Sequence, residues 1–157
     1  MRVEVTTTVF APRELVWEIL TDWERQPEWM PDALEVRVVS DQRAGEGVRL
    51  ECPTRAVGLT ILDELVVTGW RPPEYLEVQH TGRIIKGDAA FELAATDLGT
   101  RVTWWEQVDP PLGAVGAAAT RTVIAPWLRA LFGRSLRLLR ARCEQEAAAR
   151  RRHPGAN

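Results

Sequence analysis

At 157 residues, with 45% hydrophobic and 27% charged side chains, the chain is long enough to bury one core and too apolar to remain unfolded, so a single domain is expected and wholesale disorder is excluded. Lys and Arg number 20 against 22 Asp and Glu, a formal net charge of -2, which creates no global field toward nucleic acid or an anionic membrane surface. No apolar run is long enough for a membrane span, and the opening MRVEVTTTVF lacks the apolar core of a secretion signal, so a cytoplasmic protein is expected. Cys52 and Cys143 stand alone without metal or redox spacing and read as reduced packing residues. Seven tryptophans against one tyrosine and three phenylalanines point either to extra core bulk or to the lining of a partly apolar pocket.

Taken in order, Val3 to Phe10 alternates Val3, Val5, Thr7 and Val9 with Glu4, Thr6, Thr8 and Phe10, a strand of period two. Pro12 suits the first turn of a helix whose apolar face is Leu15, Val16, Ile19, Leu20 and Trp23. Pro27 and Pro31 bracket a short turn or helix over Glu28–Trp29–Met30. Strands follow over Leu34 to Ser40, Val48 to Cys52 and Gly58 to Trp70. Pro53 is expected at a strand end or sheet edge, and Gly69 as a bulge that re-aims Trp70. In the longest strand the odd set Leu59, Ile61, Asp63, Leu65 and Val67 is the more apolar and is expected to point inward.

Tyr75 to His80 places Leu76, Val78 and His80 on one face. Arg83 to Thr96 gathers Ile85, Gly87, Ala89, Phe91 and Leu93, and Arg101 to Val108 gathers Val102, Trp104, Glu106 and Val108. A small-residue run, Gly113 to Thr120, is expected to open a final helix loosely, with Pro126 kinking or restarting it. From Ile124 to Glu146 the residues Leu128, Phe132, Leu136, Leu139 and Cys143 form one stripe, and Arg129, Arg134, Arg137 and Arg140 oppose it. A helix this one-sided requires a broad apolar surface. Because almost everything upstream reads as strand, that surface is expected to be a curved antiparallel sheet, leaving a pocket between the two. The domain is expected over residues 1–148, with 149–157 a solvated tail containing Arg150, Arg151 and Arg152.

The segment TTTVFAPRELVWEILTDWERQPEWMPDALEV, with its "AP" turn, "VW" pair, aspartate–aromatic pair and P-x-W-x-P pattern, resembles the opening of the polyketide cyclase/dehydrase family of the START-like (SRPBCC) superfamily. WRPPEYLEV and GTRVTW are similar to later segments of that family, and the resemblance runs over essentially residues 2 to 146. It implies an α+β helix-grip fold: a seven-stranded curved antiparallel sheet wrapped around a long C-terminal helix, with two short helices after the first strand. It also implies an apolar small-molecule ligand such as a lipid, sterol, quinone or polyketide, which some members cyclise or aromatise.

Motifs for other chemistries are absent from the sequence. It has no phosphate loop, no zinc-ligand spacing and no nucleophile elbow, so neither a metal nor a cofactor is expected. The ionisable residues on apolar strand faces are Glu106, Asp63 and His80, candidates for acid–base work because burial raises a carboxyl pKa and lowers that of an imidazole. Each could equally be a paired or rim residue. Expected pocket residues are Leu20, Trp23, Trp29 and Met30 from the helical segment. The sheet is expected to supply Leu65, Val67, Trp70, Phe91 and Trp104, and the last helix Leu128, Phe132 and Leu136. The favoured reading is binding of a hydrophobic or aromatic small molecule. The alternative is a cyclase, aromatase or dehydratase using the pocket's acid–base groups. A third reading docks the arginine face on an acidic partner, against the simpler view of that face as solvated surface. No nucleic acid or integral membrane partner is expected; oligomeric state is not legible in these residues.

Overall fold

The computed structural model describes residues 1–56, 58–108 and 124–153. In chain order these form β1 (Arg2–Val9), α1 (Arg13–Leu20), a 3-10 helix (Trp23–Glu28), β2 (Arg37–Val38), β3 (Arg49–Ala56), β4 (Leu59–Arg71), β5 (Tyr75–His80), β6 (Gly87–Thr96), β7 (Gly99–Val108) and α2 (Ala125–Arg152). The strands make one open, curved antiparallel sheet in the order β1-β7-β6-β5-β4-β3-β2. Each consecutive pair from β2 to β7 is antiparallel, and β1 closes onto β7 with Val3 opposite Glu106 and Val5 opposite Trp104. This is the helix-grip fold that the alternating patterns and the final amphipathic helix predict.

α2 packs on β1 and α1. Its buried residues, Phe132, Ser135, Leu136, Leu139, Cys143 and Ala147, recur every three or four positions, and Arg129, Arg134 and Arg137 lie exposed on the other side. Leu136 and Leu139 are essentially fully buried, each contributing about 1.5–3 kcal/mol of transfer free energy. Pro126 sits in the first turn of α2, a position that tolerates its missing N–H. The run Gly113 to Thr120 lies outside the described residues. α2 continues to Arg152, and Arg150 pairs with Glu146 at 3.0 Å and with Glu18 at 2.7 Å, a solvated contact that ties the last turn to α1.

Several local expectations shift: the strand expected from Arg83 begins at Gly87, and β3 runs on through Pro53 to Ala56. The short turn expected at Glu28–Trp29–Met30 begins earlier, as a 3-10 helix over Trp23–Glu28 with Pro27 inside it. Pro27 deletes one bond, and the turn resumes when the N–H groups of Trp29 and Met30 both donate to the Gln26 carbonyl. The strand expected over Leu34 to Ser40 narrows to Arg37–Val38. The cause lies in β3: the Pro53 carbonyl accepts from Leu34 N–H at 2.9 Å, so the nitrogen of Pro53 faces the same edge and has no proton to return. The ladder is interrupted there, resuming only as an isolated bridge between Ala33 and Thr54, and Leu34 turns outward, 44% exposed. In β4 the register shifts between Val67 and Gly69. A Cβ at Gly69 would lie 2.9 Å from the Tyr75 ring, and beyond the bulge Trp70 turns inward, packing on Trp17 and Trp23 at centroid distances of 5.0 and 6.1 Å.

Candidate functional site

Cross-strand rows build the concave face. Trp70, Leu76, Phe91 and Trp104 are opposite one another on β4, β5, β6 and β7; Val67, Val78, Ala89 and Glu106 form the next row. Leu50, Leu65, His80 and Gly87 form a third, from β3 to β6. In the second row the β6 position is Ala89, too small to reach the helix, and it lines the space. The result is a hollow of about 370 Å³ between sheet and α2, within the usual range for small-molecule sites. Leu128, Leu131 and Phe132 of α2 form the opposite wall. Ile84, Ile124 and Trp127 also line it while remaining 71%, 38% and 44% exposed, and so mark where the cavity meets solvent.

One end is aromatic. Trp104 stacks on Phe91 at 4.9 Å and on Phe132 at 4.2 Å, a continuous pile of rings from β6 to α2. Another wall is polar, because the odd positions of β4 point inward and the last inward residue of β5 is His80. Asp63 and His80 meet there: Nδ1 of His80 lies 2.9 Å from both carboxylate oxygens of Asp63, with the side chains only 10% and 9% exposed. Glu106 on β7 and Asp32, just after the 3-10 helix, line the same space. Asp32 is anchored through its backbone, whose carbonyl accepts from Arg55 N–H at 2.8 Å.

The electrostatics follow from crowding in an apolar wall. Burial pushes the Glu106 carboxyl up to about 7; His80 opposes the rise, while Asp63 and Asp32 add to it. The Trp104 indole N–H lies near enough to weigh on Glu106 but outside hydrogen-bond geometry, since Nε1 is buried without a partner. Burial also raises Asp32, opposed by its own backbone N–H and assisted by the Asp63 charge. For His80, burial favours the neutral ring, but the Asp63 hydrogen bond and charge, with Glu106 and Asp88, overcome it and hold the imidazole above its ordinary value. Cys52 also faces the cavity; burial pushes its thiol up to about 11, leaving it a packing residue with negligible thiolate at neutral pH.

Of the residues expected at a pocket, Trp23, Met30, Leu65, Phe91 and Trp104 line this hollow, as do Leu128 and Phe132. Glu106, Asp63 and His80 come together on its polar wall. Leu20, Val67 and Leu136 lie instead in the solid core, essentially fully buried. Trp70 packs between Trp17 and Trp23. Trp29 is 1% exposed and meets Phe91 edge-on at 6.1 Å, behind the lining. Sequence reasoning passed over Asp32, which lies in a turn without periodicity just after Pro31. It also passed over the small Ala89 as a residue that leaves the space open. Among the described residues, no group of three or more His, Cys, Asp or Glu side chains is arranged to hold a metal ion, and no helix is long and apolar enough to cross a membrane.

Comparison with known proteins extends this picture. Solved structures of the same fold include a protein of Thermus thermophilus, at TM-score 0.80 and 15% identity, covering 94% of this chain and 99% of that one. An aromatase/cyclase from a Streptomyces species matches at TM-score 0.71 and 19% identity, covering 100% and 99%. A START superfamily protein from Mycobacterium smegmatis matches at TM-score 0.64 and 17% identity, covering 94% and 97%. At these identities the likeness is one of fold. No curated protein matches the sequence significantly. The model of the family described as polyketide cyclase/dehydrase and lipid transport matches residues 1–144, and with nearly the whole chain inside that match, the protein belongs to this family.

Proposed function

We propose that the protein binds a hydrophobic or aromatic small molecule, lipid-like or polyketide-like, in the hollow between the sheet and α2. The observation that carries this reading is the cavity's make-up: a wall of Leu65, Val78, Phe91, Leu128 and Phe132 with the few polar groups confined to one side. Removing apolar ligand surface from water stabilises such a complex by about 25 cal/mol per Å² before the costs of association. Trp104 reports on occupancy, because any ligand in the hollow changes the surroundings of its ring. Titration with a library of apolar ligands is expected to shift or quench tryptophan emission saturably; a flat response across lipids, sterols and aromatic polyketones would refute the proposal.

A second reading, a cyclase, aromatase or dehydratase, is favoured by one feature. Glu106 titrates near neutrality beside a histidine oriented by a carboxylate. An acid–base group serves best when its pKa is close to the working pH. In this reading Glu106 removes an α-proton from a bound polyketone, and His80, held by Asp63 at Nδ1, presents Nε2 to the carbonyl oxygen. Loss of ring closure in Glu106→Gln with retained ligand binding would support it; unchanged turnover in Glu106→Gln and His80→Gln would end it.

A further inference from the structure

Three residues that line the hollow each carry a buried polar atom with no hydrogen-bond partner among the described residues: Asp32 Oδ1, His80 Nε2 and Trp104 Nε1. Two belong to side chains at least nine-tenths buried, His80 at 10% side-chain exposure and Trp104 at 2% overall. Such groups are costly to leave unpaired. A ligand that closes over these groups gains affinity where it supplies the missing bonds and loses it where it cannot. The charges set the second condition. Asp32, Asp63 and Glu106 line one space, where Asp63 raises the titration of Asp32 and both raise that of Glu106, and His80 is already matched to Asp63. Arg55 also lines the cavity, but it is solvent-exposed, where its charge is screened.

From this we infer that the cavity selects ligands with a neutral, hydroxyl-bearing end and rejects those ending in a carboxylate. The ligand O–H donates to Asp32 Oδ1, and a ligand oxygen meets His80 Nε2. A hydroxyl satisfies Nε2 in either protonation state of the ring, whereas a carboxylate suits only the imidazolium and is repelled by the three acidic groups. An ammonium end satisfies Asp32 but offers nothing to His80 Nε2 or Trp104 Nε1. The inference rests on the binding reading above and deepens it, replacing "apolar ligand" with an uncharged phenol- or alcohol-ended class and excluding free fatty acids.

Equilibrium dialysis at pH 7.5 against naphthalene, 2-naphthol, 2-naphthoate and 2-naphthylmethylamine tests it on the intact protein. The naphthol is expected to bind at least about tenfold more tightly than the naphthoate and more tightly than naphthalene or the amine. In Asp32→Asn the gap between naphthol and naphthoate should narrow to about threefold or less, chiefly because the naphthoate gains. Naphthoate or the amine binding as well as the naphthol overturns the inference while leaving the binding reading intact. An unchanged gap in a folded Asp32→Asn protein overturns the role given to Asp32. Failure of all four compounds to bind contradicts the binding reading itself.

Discussion

The Asp63–His80 contact is a largely buried pair in the cavity wall, and its two members depend on each other. Removing one side of a buried pair leaves an uncompensated group, at a cost of about 3 kcal/mol. Asp63→Asn is therefore expected to lower unfolding stability by about that amount in denaturant titrations. It should also move the His80 titration downward, as read from its ring proton by NMR, because burial would then act with only the more distant Glu106 and Asp88 against it. Because His80 is raised in the folded state, its contribution is complete below its ordinary value near 6.5 and is lost as pH rises through the raised value. Glu106 behaves differently. Its folded pKa of about 7 lies above the ordinary 4.5, so the fold loses stability between those two pH values as the carboxyl ionises against its burial. Glu106→Gln removes the penalty: at pH 8 the variant should exceed the parent by about 2–3 kcal/mol, with no difference at pH 4. Equal stability of the two proteins at both pH values would contradict the buried position of Glu106. Part of this site was legible residue by residue, because Asp63, His80 and Glu106 each share a strand face with apolar neighbours. Asp32 was not, since it lies in a turn without periodicity and acquires its role from the tertiary approach of β3 and β4.

At the scale of elements, α2 was the most readable part of the chain and β2 the least. A stripe recurring every three or four residues over Leu128 to Cys143 admits one placement, with its apolar side on the sheet. Leu139, fully buried beneath that helix, tests the placement: Leu139→Ala should cost about 3 kcal/mol in a reversible unfolding measurement, and Leu138→Ala, on a 37% exposed side chain, less than about 1. Similar losses at the two positions would mean that α2 is rotated from the orientation described. β2 escaped because its length is limited by a neighbour. The valines and leucine from Leu34 to Val38 have the alternation of a strand, yet the missing N–H of Pro53 on the adjacent strand cuts the pairing short. Such a veto is invisible to the periodicity of the vetoed segment. The β6–β7 hairpin shows the opposite case. At Gly99 the backbone adopts φ +144° and a Cβ would lie 2.2 Å from the Val9 carbonyl oxygen. The segment Asp97–Leu98–Gly99–Thr100 reads as a hairpin from its residues alone.

For the molecule as a whole, the decisive feature is a space. Cross-strand rows carry large residues at one end, Trp70, Leu76, Phe91 and Trp104, and pack solidly against α1 and α2. The neighbouring row carries Ala89 on β6, and the hollow opens there. A sequence pattern reveals which side chains face inward but not whether their summed volume fills the interior, which is why the rim and the unfilled centre had to be read from the structure. The claim that this space takes a ligand is tested most directly by native mass spectrometry of the protein purified from its own host, compared with the cavity-filling variant Ala89→Phe. The account predicts an added small-molecule mass on the parent that is absent from the folded variant. An identical adduct on both, or a parent that stays bare even after incubation with apolar extracts of the host, would contradict it.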